Sequence, residues 1–414
     1  MSQVLVVGGG SGLQPRLRRI APGVTTAVLC RASVLHWVHR LEENKAVIVL
    51  NDAAGLDTWL AAARHLHQEW PIDTVASLAE IDQDKAAAIA EHLGIPFHSP
   101  EVVRRCHDKT AMREQLNASG VEKTPFRRVA DAGELADFYA EVGPPLLVKP
   151  SRGRASAGIA TVRSEGDVES AFATSHDATA PRLEPSLPLA ERFVEGPEFS
   201  VEAVTHQGHH YVFAITEKFK DEATKVELGH VVPARIPEVD ADRILAHVRA
   251  CLTALGITSG ITHTEVILGP DGPVLVETHL RQAGDEIAEL VEIATGVDIT
   301  ELFLRQIAGE SIAEREEVAS RAERPHYRAA GAIRYLAPPP SGRLAGIDGL
   351  EEARALPGVQ DVTRLVDDGS VLSGLRSSYS RLASARVAAG DADAAVRVAR
   401  EAVAVLGVRV AEES

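Results

Sequence analysis

Cysteine is scarce in this 414-residue chain. There are three, Cys30, Cys106 and Cys251, far apart and in no Cys-x-x-Cys or other metal-ligand spacing. That argues against a disulfide framework or a structural zinc site and points to a reducing cytoplasm. Basic charge is also short: 43 lysines and arginines stand against 59 aspartates and glutamates, a net charge of −16. Such a surface repels phosphate backbones and anionic lipid, so nucleic acid is not an expected partner, although a lined cleft can still take an ATP-sized anion. No apolar run approaches the roughly 20 residues of a membrane span, and the N-terminus lacks the pattern of a signal peptide. Repeats and low-complexity segments are missing as well. A soluble cytoplasmic protein with no membrane partner is expected.

The opening QVLVVGGGSG lacks the third glycine of a Gly-x-Gly-x-x-Gly fingerprint. Gly8 and Gly10 are followed by Leu13, and no acid ends the next strand, where Cys30 precedes Arg31. A tight strand-to-helix turn fits better than a nicotinamide site.

Strand-like runs QVLVV, TTAVLC, AVIVL and DTVASL alternate with helical stretches at 13–20, 58–69 and 84–93, the pattern of a parallel sheet covered by helices. The expected fold class is therefore α/β, with an N-terminal α/β domain over 1–104. Two strand-like runs follow, joined by a glycine- and serine-rich loop in PPLLVKPSRGRASAGIATV. Further strands are expected at ERFVEGPEFSVEAVT and HHYVFAIT, a helix over 240–255, and a hairpin ITHTEVIL and PVLVETH turning at Gly269 to Gly272. A last module carries GAIRYL, DVTRLV and a helix over 391–406.

Two lysines sit where an anion can reach them. Lys109 opens a helix, and Lys149 ends a strand beside the loop with Gly153, Ser156 and Gly158. Ammonium groups suit phosphates, and glycines let backbone N–H groups approach phosphate oxygens closely. Each lysine alone reads as a solvated surface residue; their order, with the loop after the second, favours a phosphate site. In LPLAERFVEGPEFSVEAV, apolar Phe193 and Val194 lie among Glu191, Glu195, Glu198 and Glu202, a composition suited to a nucleoside pocket but also to an amphipathic hairpin. In HTEVILGPDGPVLVETHLRQAGDE, the tight turn brings Glu265 and Glu277 near each other across a strand pair. Neighbouring carboxylates resist joint ionisation unless a cation lies between them, and magnesium, with its oxygen ligands and shared phosphates, answers that need. Arg281 then aims its donors at a transferred phosphoryl group.

With these motifs in this order, the chain resembles the ATP-grasp superfamily of carboxylate-amine ligases. The carriers are Asp108-Lys109, Val148 to Pro150, Ser156 to Ile159, Glu191 to Glu202, His263 to Glu265 and Glu277 to Asp285. The resemblance implies an ATP-grasp domain over 105–310, with a lid subdomain at about 123–190, and a C-terminal α+β subdomain over 311–414. It implies ATP held by Lys109, Lys149, Ser156 and Gly158, adenine by Glu191 with the Phe193 and Val194 backbone, and the nucleoside by Glu198. Magnesium would lie on Glu265 and Glu277.

The narrower likeness is to bacterial L-amino acid ligases, carried by SLAEIDQDKAAAIAEHLGIP, KVELGHVVPA and the C-terminal module. It implies a substrate site of Glu80, Glu227, His230, Arg281 and Gly284, with Arg281 acting in the chemistry and Glu227 or His230 as the base. The substrates would be small molecules, a carboxylate and an amine of amino-acid type, joined through an acyl phosphate with release of ADP and phosphate; related ligases are often homodimers. One departure stands out. The usual strand end is Glu-x-Asn-x-Arg, and this chain has His279 in place of the asparagine, which leaves it as a ligand for manganese or as a phosphate contact. Two alternatives stay open: other ATP-grasp chemistry such as carboxylation or purine-pathway ligation, and an ATP-binding regulatory protein without turnover.

Overall fold

The computed structural model describes residues 2–153, 157–178 and 186–411. Val4, Val6, Val28 and their neighbours form continuous apolar runs because the sheet they build is covered on both faces. Strands Gln3–Val7, Thr25–Arg31, Val47–Leu50 and Thr74–Ala76 pair in parallel, with Gln3–Val7 between the second and the fourth. Helices Leu13–Ile20, Leu56–Glu69 and Gln83–Leu93 cover it, as the sequence pattern predicts. The glycine turn after the first strand is filled by protein. A Cβ on Gly8, at φ +91, would strike Ala79, and one on Gly9 would strike Trp37, so the turn is a close-packed corner.

The expected boundary after residue 104 falls inside the helix Pro100–His107, which packs against Gln83–Leu93 and against the next helix, Lys109–Ala118. The region expected to form a lid holds a four-stranded antiparallel sheet of Phe126–Arg128, Pro188–Arg192, Leu146–Pro150 and Ala160–Val162, backed by helices Ala132–Val142 and Val168–His176.

Eight antiparallel strands form the central sheet, in the order Gly272–His279, Gly260–Gly269, Glu198–His206, His209–Lys220, Glu227–Val232, Ala330–Leu336, Ala383–Ala389 and Val359–Arg364. Strict alternation explains its two faces. Phe199, Val201, Ala203, Val266 and Leu275 pack in one core with Ile244, Leu245 and Val248 of the helix Glu238–Leu255. Glu198, Ser200, Glu202, His263 and Glu265 occupy the alternate positions. The last three strands belong to the C-terminal region, so that region shares the sheet of the ATP-grasp part instead of building a separate one; a small sheet of Gly342–Asp348, Val371–Leu372 and Gly407–Val410 is its own. No helix among the described residues is long and apolar enough to cross a membrane.

Candidate active site

The N-terminal domain, the lid and the central sheet meet around a cleft of about 900 Å³. Its charged floor owes its form to two β-bulges. From the turn, Gly269 pairs with Gly272 and Val266 with Leu275, a register that would set Glu265 opposite Val276 and turn Glu277 to the other face. The bulge between Glu265 and Val266 adds one residue to the partner strand and sets Glu265 directly opposite Glu277. A second bulge, at Phe219 and Lys220, places Lys218 opposite His230 and Lys220 opposite Glu227.

The two acids are neutralised from different directions. Lys109 follows Asp108, which caps its helix by accepting from Thr110 N at 2.9 Å and Ala111 N at 3.3 Å. Its Nζ lies 2.5 Å from Glu277 Oε2 and donates to Gly153 O at 3.2 Å. Lys218, with a side chain only 1 % exposed, meets Glu265 at 2.6 Å, Glu227 at 2.7 Å and Glu198 at 3.1 Å; Lys220 makes a second ion pair with Glu198. Burial alone would raise the carboxyl groups of Glu265, Glu227 and Glu277, but Lys218 holds the first two below the usual range and Lys109 holds the third there. Against burial, Glu265, Glu227 and Glu198 raise Lys218 well above an ordinary lysine.

Lys149 sits deeper. Its Nζ is 2.6 Å from Glu191 Oε1, and Arg113 bridges Glu191 Oε2 and Glu122 Oε2, each at 2.8 Å. Glu122 also accepts from Leu275 N at 2.6 Å, which ties this buried chain of charges to the strand bearing Glu277. Against burial, Arg113 and Lys149 bring Glu191 down to about 2. The Glu191 carboxylate thus stands behind Lys149, while Phe193 and Val194 line the cleft. Gly158, at φ +74, turns the lid loop where a Cβ would strike Ala178, and Gly153, Ala157 and Ile159 form the cleft wall there. The expected phosphate contact Ser156 lies outside the described residues.

At the opposite end, Gln83 donates to Leu280 O at 2.7 Å and holds the N-terminal domain against the strand end. Glu80, at the C-terminal edge of the parallel sheet, accepts from Arg281 Nε at 2.8 Å and lies 3.4 Å from His279 Nδ1. His279 Nε2 is 3.3 Å from Glu277 Oε1. Burial lowers His279, but Glu277 and Glu80 more than offset it, so its imidazole is raised; the cross-strand partner Glu202 likewise brings His263 up to about 9 despite burial. Donor atoms of Glu265, Glu277 and His279 all lie within 4.8 Å of one another, a spacing that suits one divalent cation with phosphate oxygens completing its shell.

Gly284, whose Cα faces open space, precedes Asp285 and Glu286, both in the left-handed region at φ 55 and φ 58. Arg381 grips Asp285 with two bonds of 2.6 and 2.7 Å and stacks 3.7 Å over the Tyr335 ring; His230 Nε2 lies 3.1 Å from Asp285 Oδ2. All the site residues expected from sequence that are described here border this cleft, except Glu191 and Gly158, which stand just behind it.

Sequence reading missed Lys218, Lys220, Arg113 and Arg381. The Lys-x-Lys of EKFK carried a signal, since alternate strand residues share a face. Arg381 carried none, being brought in by the C-terminal strands.

A family model for the ATP-grasp domain matches residues 142–289, and one for L-amino acid ligase C-terminal domain 2 matches residues 334–411. Residues 142–289 are thus an ATP-grasp domain, and residues 334–411 an L-amino acid ligase C-terminal domain. The crystal structure of L-amino acid ligase from Bacillus licheniformis has the same fold, with a TM-score of 0.81 and 21% identity over 100% of this chain and 99% of that one. The uncharacterized protein y4rH of Sinorhizobium fredii is 28% identical over 323 residues, 77% of this chain and 64% of that protein. Alanine–anticapsin ligase of Bacillus subtilis is 24% identical over 251 residues, 56% of this chain and 53% of that enzyme. The chain thus spans less than two thirds of either curated relative.

Proposed function

We propose that the protein is an ATP-dependent carboxylate-amine ligase joining amino acids or amino-acid-like substrates through an acyl phosphate. The observation that carries this reading is the bulged hairpin. It sets Glu265 and Glu277 face to face, each neutralised by a lysine, at one end of a cleft whose other wall is Lys149, Phe193 and Val194. In this reading Lys109 and Lys218 hold the acids until nucleotide arrives, then turn to the phosphates. Glu265 and Glu277, with His279 beside them, would hold a divalent cation, which supplies charge neutralisation for the transferred phosphoryl group.

The adenine would lie against Phe193 and Val194 and the main chain of 191–194, with Glu191 serving through Lys149. Glu198 reaches the nucleoside side of the cleft, where Lys220 also stands.

The substrate carboxylate would attack the γ-phosphorus, ADP leaving, with Arg281 aimed at the transferred group and fixed by Glu80. The amine nitrogen then attacks the acyl carbon, the carbon–oxygen bond to phosphate breaks, and a proton leaves the nitrogen. Of the two expected bases, Glu227 is tied to Lys218 and depressed, which makes it a weak base. His230, oriented by Asp285, is the better acceptor. Gly284 leaves room for substrate beside it.

The test is a phosphate-release screen of paired amino acids with ATP, with mass detection of product. ADP, phosphate and amide should appear together in wild type and vanish in Glu277→Ala. Nucleotide binding without ADP release across the panel would refute the ligase reading, and stimulation by bicarbonate alone would replace it with carboxylation.

A further inference from the structure

Two stacked imidazoles flank the carboxylate pair, an arrangement magnesium does not require. His263 and His279 lie with ring centroids 5.8 Å apart and planes within 17°. Each is backed by an acid on one nitrogen and aimed at a candidate ligand with the other. His263 Nδ1 lies 2.9 Å from Glu202, itself fully buried and fixed by Ser200 Oγ at 2.7 Å, and its Nε2 is 3.4 Å from Glu265 Oε1. His279 repeats the pattern with Glu80 on Nδ1 and Glu277 on Nε2. Its Nδ1 is buried and makes no hydrogen bond, and Glu80 Oε1 stands 3.4 Å away, a few tenths of an ångström beyond one.

A carboxylate behind the outer nitrogen of an imidazole orients the ring and strengthens the inner nitrogen as a ligand. Its parallel neighbour His263 walls off one face of the His279 ring. The inner nitrogen faces Glu277 Oε1 at 3.3 Å, within the group of donor atoms that includes Glu265.

We propose that the cation position of this chain is built for a first-row divalent transition metal, with His279 Nε2 as a direct ligand beside Glu265 and Glu277 and Glu80 as the positioning residue behind it. The inference rests on the ligase reading for the presence of a cation at this place; the metal class is what it adds. Two oxygens and one imidazole nitrogen favour transition ions over magnesium, which prefers an all-oxygen shell. Glu80 acquires a second task from this: one carboxylate spans the metal ligand and Arg281, so the N-terminal domain must be docked for either to be in place.

Manganese is the reporter. Electron spin-echo modulation of Mn²⁺ on the whole protein, with and without ADP, should show coupling to a directly bound nitrogen-14 in wild type. His279→Asn should bind Mn²⁺ without that coupling, and its preference for Mn²⁺ over Mg²⁺, measured by competition, should fall about 10-fold or more. Glu80→Gln should keep the coupling but weaken Mn²⁺ about 10-fold to 100-fold. Bound Mn²⁺ without nitrogen coupling in wild type, or an unchanged metal preference in His279→Asn, overturns the proposal. Calorimetry of ADP binding separates the two readings: absent ADP binding sinks the ATP-site reading, while ADP binding with nitrogen-free Mn²⁺ sinks only this one.

Discussion

Replacing Lys218 by methionine removes one ammonium from among three carboxylates and leaves the volume nearly filled. The donor oxygens of Glu198, Glu227 and Glu265 lie within 4.8 Å of one another, and their side chains are 12 %, 23 % and 15 % exposed. At an effective dielectric constant of about 20, each pair at that separation repels by roughly 3.5 kcal/mol. Proton uptake limits the damage: neutralising one glutamate of ordinary pKa near 4.3 at pH 7 costs about 3.7 kcal/mol, and Lys220 still covers part of Glu198. A loss of about 3 kcal/mol follows, within the range for breaking a buried ion pair. For a cooperative unit of roughly 150–250 residues this is a fall in Tm of about 6–12 °C.

The sign with pH is fixed by the native site. Glu265 and Glu227 titrate below the ordinary glutamate value, so their stabilisation is present above that value and is lost as pH falls through the lower, folded one. In Lys218→Met the acids titrate higher, so the deficit against wild type should shrink by about 1.4 kcal/mol per pH unit on going from pH 7 toward pH 5. Calorimetric melts of both proteins at pH 7 and pH 5.5, with and without Mn²⁺, provide the assay. An equal deficit at both pH values would show that Lys218 contributes packing alone and would refute the electrostatic reasoning, as would a variant that Mn²⁺ fails to restabilise.

Glu191→Gln should cost about 3 kcal/mol at pH 7, because Arg113 and Lys149 hold the native carboxyl down to about 2; wild-type Tm should fall as pH drops from about 4.5 through 2, and melts of the variant should be flatter there. Arg381→Ala should reduce kcat about 10-fold to 100-fold with unchanged ADP affinity by calorimetry, and Arg381→Lys should not restore it, since an ammonium cannot reproduce the two bonds to Asp285. Gly196→Ala drives a Cβ into the Leu268 carbonyl and should lower both Tm and ADP affinity by pushing the Phe193 to Gly196 segment off the hairpin.

The N-terminal sheet was legible because its strands are buried on both faces and its helices keep their own period. The Glu265 and Glu277 pair was legible as a neighbourhood, since a tight turn brings its flanking strands together. Their shared face depends on a bulge at Val276 that no residue type announces. The ion pairs of the Glu191 carboxylate left no local trace, because its partner Arg113 comes from a helix far upstream. Arg381 could not be seen at all: its place beside Asp285 is set by pairing of Ala383–Ala389 with Ala330–Leu336, a contact with no local trace.

Because the C-terminal strands continue the central sheet, the strand carrying Glu227 and His230 is an interior one. A chimera or truncation that removes residues beyond about 330 would turn Glu227–Val232 into an open edge, with unpaired amides offered to any neighbouring chain. Glu227 and His230 would then sit on that open edge. Exchange of the C-terminal module therefore transplants part of the scaffold that holds the cleft, and a folded hybrid must match the Val232 to Gly331 register.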